Sequence, residues 1–332
     1  MVQRILPNIF RIPVRLKGNP LKILNSYVVK TTDRNLLIDT GFNQDESFED
    51  LKKGIEELDL DMDKTDIFLT HFHSDHTGLV PRIAGTSSKK YMGAADIELF
   101  EAQNSDRDGY WGKVKDAFLS RAYPEDEYRA AVDRNPARHL VSPVRFDCIP
   151  VHDNEVLRIG DMEFVCIHTP GHTPGHFCLY NKKNKLIFLG DQLLFDITPN
   201  ISVRPRPGNA LKEYLESLQK LKNYDVAIPL TAHRENNGNY YARIDELIQH
   251  HDIRLQELID IIKTNPGING YQAAAKMEWS IRAKSWDDFP PGQKWFAVAE
   301  ALAHVDYLIY MGKVSVENNN GIEQYSIAGG GV

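Results

Sequence analysis

The chain has 332 residues, of which 42% are hydrophobic and 26% are charged, and its formal net charge is −7. This length favours two domains, and this composition is that of a globular protein that buries a core without disulfide staples. The acidic balance argues against a scaffold that holds nucleic acid by bulk charge.

Neither the cysteines nor the N-terminal stretch indicates export or a membrane. The three cysteines have no CxxC spacing, and we expect Cys148, Cys166 and Cys178 to be reduced, buried thiols. The stretch MVQRILPNIFRIPV lacks the long apolar region and the cleavage site of a signal peptide. No run approaches the roughly 18 apolar residues that a membrane span needs. The expectation is a cytoplasmic protein that does not bind membranes.

The first part of the chain alternates strand and helix patterns. A hairpin is predicted by NSYVVK and NLLIDTG, a helix by DESFEDLKKGIEELDL and a buried strand by TDIFLT. A second block repeats this style, with strands predicted by VLRIGDMEFVCIHTPG, HFCLYNKKNKLIFLGD and DVAIPL and a helix by NALKEYLESLQKL. Two such halves predict an α/β fold, specifically a four-layer αββα sandwich.

A helical segment interrupts the strand patterns between residue 94 and about residue 140. Its centre, YWGKVKDAFLSRAYPEDEYRAAV, is charged and aromatic and carries no strand signal. We predict a helical insertion near the mouth of the active site, and a helical layer packed on the sheet is the open alternative.

The composition changes near residue 236, where the polar breaker ENNGN stands. Three helical patterns follow, namely YYARIDELIQHHDIRLQELIDIIKT, GYQAAAKM and PPGQKWFAVAEALAHVDYLIYMG, and then two β-rich runs around Asn-Asn-Asn-Gly. Three helices and a hairpin are typical of a winged helix. The prediction is therefore a catalytic domain over residues 1–236 and a winged-helix-like domain over residues 237–332.

Three histidines and one aspartate fall within six residues of the stretch LTHFHSDHTGLV, after a predicted strand. Side chains at positions i and i+2 of an extended chain share one face, so His71 and His73 can bind one metal ion. Asp75 and His76 lie in the turn that follows and can address a second ion. Imidazole and carboxylate ligands suit zinc, and also iron or manganese.

Further ligands are expected at the carboxyl ends of other strands, where a sheet fold gathers its site. His172 follows a strand in a Pro-Gly turn, Asp191 ends the strand pattern IFLGD, and His233 follows IPLTA. The predicted metal ligands are His71, His73, Asp75, His76, His172, Asp191 and His233.

Other histidines are expected outside this set. His168 alternates with apolar residues and is predicted to pack in the core. His176 follows the Pro-Gly turn, where it either packs or orients a ligand. His250 and His251 lie on a helix and are expected to be solvated or packed.

The motifs THFHSDHTG, TPGHTPGH, FLGD and TAH resemble the metal-binding motifs of the metallo-β-lactamase superfamily, over roughly residues 5–236. The resemblance implies that His71, His73 and His172 bind one metal and that Asp191 bridges both. It implies that the second metal is bound by Asp75, His76 and His233. The C-terminal layout resembles the winged-helix domain of one branch, near the β-lactamase-like endoribonuclease and the glyoxalase II-like hydrolases.

Two divalent cations in this arrangement predict a hydrolase. They can share a water molecule, lower its pKa toward neutrality and direct the resulting hydroxide at a carbonyl carbon or a phosphorus. Asp75 is the carboxylate best placed to relay a proton. The sequence has no G-x-S-x-G motif, so a serine hydrolase has no support.

The substrate class stays open at this stage. The first candidate is a small carboxyl derivative, meaning a thioester, an ester or a lactone, and the alternative is a phosphodiester cleaved by a phosphodiesterase or endoribonuclease. A winged helix favours nucleic acid, whereas the acidic balance and a mostly apolar third helix disfavour it. That helix is expected to be a packing surface, a wall of the site or a homodimer contact. A vestigial DNA-binding regulator is disfavoured by the complete ligand set, and a di-iron oxygen reductase by the lack of a flavin-binding domain.

Overall fold

The computed structural model describes residues 1–133, 135–142, 144–204, 208–235 and 238–329. It has the expected α/β architecture, in which two large β-sheets stack and helices cover them. In the described part of the chain, no helix combines the length and the apolarity that crossing a membrane requires.

The first sheet comes from the N-terminal part of the chain, and its seven strands are neighbours in chain order. Strands β1 to β4 pair antiparallel, and β4 to β7 pair parallel. The strands are β1 (Gln3–Leu6), β2 (Ile9–Arg15), β3 (Ile23–Val29), β4 (Asn35–Ile38), β5 (Thr65–Phe68), β6 (Lys90–Gly93) and β7 (Ile149–Val151). Strands β4 and β5 are buried along their whole length, as strands covered on both faces are.

The second sheet has five strands in the order β12-β11-β10-β9-β8. All neighbours are antiparallel except β11 and β12, which are parallel. The strands are β8 (Val156–Ile159), β9 (Met162–His168), β10 (Phe177–Asn181), β11 (Leu186–Gly190) and β12 (Ile228–Thr231).

Two hydrophobic cores lie on opposite faces of the first sheet. Leu36 and Ile38 of β4 pack with Phe164 and Phe188 of the second sheet, in the core between the sheets. Leu37, the residue between them, packs instead in the core that contains residues of the first helix. Alternate side chains of a strand point to opposite faces, so this one strand contributes to both layers of the sandwich.

Eight helices precede the C-terminal part of the described chain. They are α1 (Asp45–Glu57), α2 (Ser74–Thr77), α3 (Val80–Ile83), α4 (Ala94–Ser105), α5 (Arg107–Leu119), α6 (Glu125–Val132), α7 (Pro136–His139) and α8 (Ala210–Leu221). A single 3₁₀ turn spans Met62–Lys64. The segment expected to be a helical insertion forms helices α4 to α7.

The C-terminal part contains three helices and three strands. They are α9 (Tyr240–Thr264), β13 (Ile268–Asn269), α10 (Gly270–Lys276), α11 (Pro291–Tyr310), β14 (Val314–Asn319) and β15 (Ile322–Ile327). The small sheet has the order β13-β15-β14. Between β14 and β15, Asn320 and Gly321 have φ angles of 51° and 86°, as a two-residue hairpin turn with left-handed central residues requires.

The chain forms two compact units that are not continuous in sequence. The first comprises residues 1–105, 136–199 and 217–244, and the second comprises residues 106–135, 200–216 and 245–332. Most of the predicted helical insertion therefore belongs to the second unit. The boundary expected between residues 236 and 237 lies outside the described residues, and the division at that point stays a prediction.

The three cysteines are free thiols. Cys166 and Cys178 are buried as expected, whereas the expectation for Cys148 is wrong, because that residue is half-buried near the edge strand β7. Burial raises the pKa of all three thiols to about 12, so they stay protonated at neutral pH.

Candidate metal centre

The loop after β5 and the helix α2 that follows it carry four of the seven predicted ligands, two on each. Helix α2 begins at Ser74, so Asp75 and His76 lie in its first turn, whereas the sequence indicated a turn at these residues. His71 and His73 precede the helix, and Nε2 of His71 lies 3.0 Å from Nδ1 of His73. All four side chains therefore gather at the carboxyl end of a central strand of the first sheet.

The first candidate group joins this loop to the second sheet. Nε2 of His172 lies 3.1 Å from Nδ1 of His73 and 3.5 Å from Oδ2 of Asp191. The ligand atoms of His71, His73 and His172 all lie within 4.8 Å of one another. We call these three residues the three-histidine group, and their spacing suits a single metal ion.

The second candidate group lies on the other side of Asp191. Nε2 of His233 is 3.4 Å from Oδ2 of Asp75 and 3.4 Å from Oδ1 of Asp191. Nε2 of His76 is 3.8 Å from Oδ2 of Asp75 and 3.7 Å from Oδ1 of Asp191. The two carboxylate oxygens of Asp191 thus face different groups, which is the arrangement of a bridging ligand.

Three atoms at the centre of this arrangement are buried and make no hydrogen bond within the described residues. They are Nε2 of His76, Nε2 of His233 and Oδ1 of Asp191. A buried polar atom without a partner costs roughly 1–3 kcal/mol, and such atoms are rare in folded proteins. Imidazole nitrogens and carboxylate oxygens are also the donors that zinc prefers. The site therefore fits divalent metal ions by both burial and donor type.

Hydrogen bonds on the far side of the rings fix which nitrogen faces the centre. Nδ1 of His76 donates to Oδ2 of Asp39 at 2.8 Å, and Nδ1 of His233 donates to the carbonyl oxygen of Ile23 at 2.9 Å. The hydroxyl of Thr70 donates to Asp39 and lies 3.1 Å from Nδ1 of His71, from which it accepts. Nε2 of each of these three rings therefore faces the centre, where a metal would bind.

Asp39 and Thr70 were not among the predicted site residues, although the sequence carries a signal for Asp39. Asp39 directly follows β4, the strand next to β5, so it stands at the same sheet edge as the ligands. It has a φ of 58°, a left-handed conformation that aspartate tolerates better than most residues. Asp39 also accepts a hydrogen bond from the amide of Thr70 at 2.9 Å, which ties the two strand ends together.

His176 contacts Asp191 rather than joining a candidate group. Its Nε2 accepts a hydrogen bond from the amide of Asp191 at 3.2 Å, and its Nδ1 lies 2.8 Å from the hydroxyl of Thr169. Of the two roles left open for this residue, the contacts favour the orienting one. The neighbouring His168 lies outside the centre, with Nε2 2.9 Å from the carbonyl oxygen of Pro174.

The histidines of the two candidate groups have pKa values shifted in opposite directions. Burial, reinforced by neighbouring histidines, lowers the pKa of His71 well below its ordinary value and that of His73 to about 3. Burial also disfavours a charged His76, but nearby carboxylates outweigh it and raise its pKa to about 10. Carboxylates likewise raise the pKa of His233. Burial would raise the pKa of Asp75, but the same two histidines lower it.

A sandwich that gathers histidines and aspartates at its strand ends defines a class of metal-dependent hydrolases. The family model of the metallo-beta-lactamase superfamily matches residues 21–233, which is more than half of the chain. The chain belongs to this superfamily.

Curated relatives cover most of the chain at low identity. The chain is 23% identical over 254 residues to the lactamase-like protein aptB of Emericella nidulans, covering 76% of this chain and 62% of that protein. It is 26% identical over 265 residues to an atrochrysone carboxyl ACP thioesterase of the same fungus, covering 80% and 68%. It is 25% identical over 276 residues to the beta-lactamase-like protein 2 homolog of Caenorhabditis elegans, covering 81% and 75%. The chain thus spans less than two thirds of the length of the first of these relatives.

Solved structures match the fold over nearly the whole chain. A metallo-beta-lactamase family protein from Thermus thermophilus has a TM-score of 0.82 and 25% identity, covering 98% of this chain and 100% of that one. A beta-lactamase domain protein from Burkholderia ambifaria has a TM-score of 0.81 and 20% identity, covering 98% and 94%. The likeness therefore includes the C-terminal helices as well as the sandwich.

Proposed function

We propose that the chain is a hydrolase whose seven predicted ligands hold two divalent cations. The three-histidine group would hold one cation, the group of Asp75, His76 and His233 would hold the other, and Asp191 would bridge them. The observation that supports this most is the set of three buried atoms that face one another without hydrogen bonds. We infer zinc, because imidazole and carboxylate donors suit it, with iron and manganese as the alternatives.

The cations, when bound, supply a water-derived nucleophile at neutral pH and polarise the substrate oxygen that gains charge. The chain's own residues hold and orient this centre. Asp39 and the carbonyl of Ile23 keep the Nδ1 protons of His76 and His233 away from the centre. His76 and His233 lower the pKa of Asp75 and keep it ionised, which suits a ligand of the second cation. From its place at the centre we infer that Asp75 also relays a proton to the leaving group.

We propose a small carboxyl derivative as the substrate, with a thioester as the first choice over an ester or a lactone. The printed name of one relative, a carboxyl ACP thioesterase, supports this choice.

We further infer that residues 240–327 form a winged helix. The order of helix, strand, two helices and hairpin supports this, together with the central place of β15 in its sheet. Helix α11 contains one lysine and no arginine, and Lys294 is buried and 3.2 Å from Oε2 of Glu127. A helix without exposed lysine or arginine side chains is better suited to packing against other helices than to binding in a DNA groove. A homodimer through this helix stays a prediction.

A substrate panel tests the proposed function. Purified protein reconstituted with zinc would be assayed on S-lactoylglutathione, a homoserine lactone, bis-p-nitrophenyl phosphate and a single-stranded RNA. We expect turnover of the thioester above the other three. Cleavage of the two phosphodiesters alone would contradict the substrate class and favour the endoribonuclease alternative. No turnover with any zinc-, iron- or manganese-loaded form would count against a hydrolase.

Replacing Asp75 tests the proton relay. Asp75→Asn removes the ionised carboxylate, and we expect kcat to fall by about 10²–10⁴-fold, the usual contribution of a general acid–base group. Asp66→Asn is the matched control, since Asp66 is a buried carboxylate paired with Arg34 away from the centre. Equal kcat values for Asp75→Asn and the wild type would rule out the relay.

A further inference from the structure

The carboxylate of Asp96 lies outside the seven proposed ligands but contacts the loop that carries two of them. Asp96 stands in the first turn of α4 and is fully buried. Its Oδ2 accepts a hydrogen bond from the amide of Phe72 at 3.1 Å. Phe72 is the residue between His71 and His73, so this bond anchors the backbone that presents both rings.

The same carboxylate also binds the turn that carries His172. Its Oδ2 accepts from the hydroxyl of Thr173 at 2.6 Å, and its Oδ1 accepts from the amide of Gly175 at 2.6 Å. Thr173 directly follows His172 in the chain. One buried carboxylate therefore joins the loop after β5 of the first sheet to the turn before β10 of the second sheet.

The backbones around this carboxylate approach one another closely. A Cβ atom at Gly175 would lie 2.4 Å from the amide nitrogen of Asp96, and a Cβ at Gly93 would lie 2.1 Å from the carbonyl oxygen of Gly175. Neither distance is possible for a real side chain without a backbone shift. The junction of β6 and α4 therefore packs against the turn that carries His172, and this close packing requires glycine at both positions.

We propose that Asp96 is a positioning residue for the three-histidine group, and the proposal rests on the proposed function. His172 comes from the second sheet, whereas His71 and His73 lie in the loop after β5 of the first sheet. The distance between these rings therefore depends on the contacts that hold the two segments together. The three hydrogen bonds to Asp96 set the separation of the two loops, and so the size of the site, without contact between Asp96 and a cation.

The direct test is Asp96→Asn in the full chain. Asparagine keeps the size of the side chain but turns an NH₂ group toward N–H or O–H donors, so at least one hydrogen bond is lost. We expect the affinity of the three-histidine site for Co²⁺ to fall by about 10–100-fold, as when the partner of a metal ligand is replaced. The second site should keep its affinity within about threefold.

The two sites would be separated by Co²⁺ titration of metal-free protein, followed by visible absorption. The binding step that disappears in His172→Ala is assigned to the three-histidine site. Zn²⁺ competition against a chromogenic chelator gives the same two affinities by an independent route. Thermal unfolding of the metal-free variants separates a loss of stability from a loss of metal binding.

Two further variants serve as a control and as a smaller perturbation of the same contacts. Asp66→Asn makes the same chemical change at a buried carboxylate that accepts from the amide of Lys89 at 2.9 Å, away from both loops. We expect it to lower stability and leave both Co²⁺ affinities unchanged. Thr173→Val removes one of the three bonds and should weaken the three-histidine site less than Asp96→Asn. In the double variant the losses should not add, because the residues are in direct contact.

Each outcome decides the proposal. Weakening confined to the three-histidine site supports it. If Asp96→Asn lowers only the unfolding temperature and binds Co²⁺ as the wild type does, Asp96 is structural and the proposal is wrong. If Asp96→Asn does not fold, wild-type Co²⁺ affinity in Thr173→Val overturns the proposal. If the wild-type chain itself binds neither Co²⁺ nor Zn²⁺, the proposed function fails first and the positioning role fails with it.

Discussion

At the residue scale, the pKa of each histidine depends on the group that contacts its Nδ1 and on the charges near its Nε2. His76 is placed between Asp39 on its Nδ1 side and two carboxylates on its Nε2 side, and these charges overcome burial to raise its pKa to about 10. His71 has no carboxylate behind it, only the hydroxyl of Thr70, and burial lowers its pKa. In the metal-free protein at neutral pH, His76 is therefore a charged imidazolium, whereas His71 is a neutral imidazole.

This difference predicts that metal binding at the second site depends on pH. A metal requires the neutral imidazole, so below pH 10 a cation must displace the proton of His76. We expect the apparent Zn²⁺ affinity of that site to rise between about pH 6.5 and 8.5, by up to about tenfold per pH unit. Titration against a chelating dye at three pH values measures this slope.

Asp39→Asn provides the matched variant for the pH experiment. It removes one of the carboxylates that raise the pKa of His76, so fewer protons should be released and the pH slope should be shallower. Calorimetric titration in two buffers of different ionisation enthalpy counts the protons. A wild-type affinity that does not change with pH would show that His76 is neutral before the metal binds.

At the element scale, the centre depends on how β11 ends. Gly190 has a φ of 52°, and a Cβ there would lie 2.6 Å from Nε2 of His176 and 2.8 Å from Cβ of Thr70. The next residue is Asp191, the proposed bridging ligand, whose amide donates to that same His176 nitrogen. The strand end thus needs a glycine for both its conformation and the space around it.

Gly190→Ala should therefore destabilise the chain more than an alanine at an equally left-handed but open position. Gly18 has a φ of 78° with nothing within 4 Å of its Cβ position, so Gly18→Ala measures the cost of conformation alone. We expect Gly190→Ala to lower the free energy of unfolding by about 1–3 kcal/mol more than Gly18→Ala, the usual cost of overpacking. Urea denaturation of both variants checks this, and equal losses would mean that the space around Gly190 is not needed.

The elements differ in how well the sequence alone predicts them. Strands β5 and β11 are short, buried runs directly followed by polar residues, and both the strands and the ligands after them were predictable. Strands β6 and β7 have only four and three residues, too few for an alternating pattern to emerge. Asp96 gave no signal, because nothing in a helical sequence indicates contact with a loop 77 residues away.

At the scale of the whole molecule, contacts between distant segments decide which residues fold together. In the second unit, Arg121 and Asp306 form a buried ion pair at 3.1 Å although 185 residues separate them. Trp295 stacks on Phe118 with ring centroids 5.1 Å apart. Local patterns predicted helices in both segments, but no local pattern predicts that residues 106–135 belong to the same unit as the C-terminal helices.

We propose that seven side chains of the first unit hold two cations, one on each side of Asp191. Crystals of the zinc-loaded chain, measured on both sides of the zinc absorption edge, would locate these cations. We expect two anomalous peaks about 3.5–4 Å apart, one beside the three-histidine group and one beside Asp75, His76 and His233. A map with no anomalous peak at these residues would contradict it.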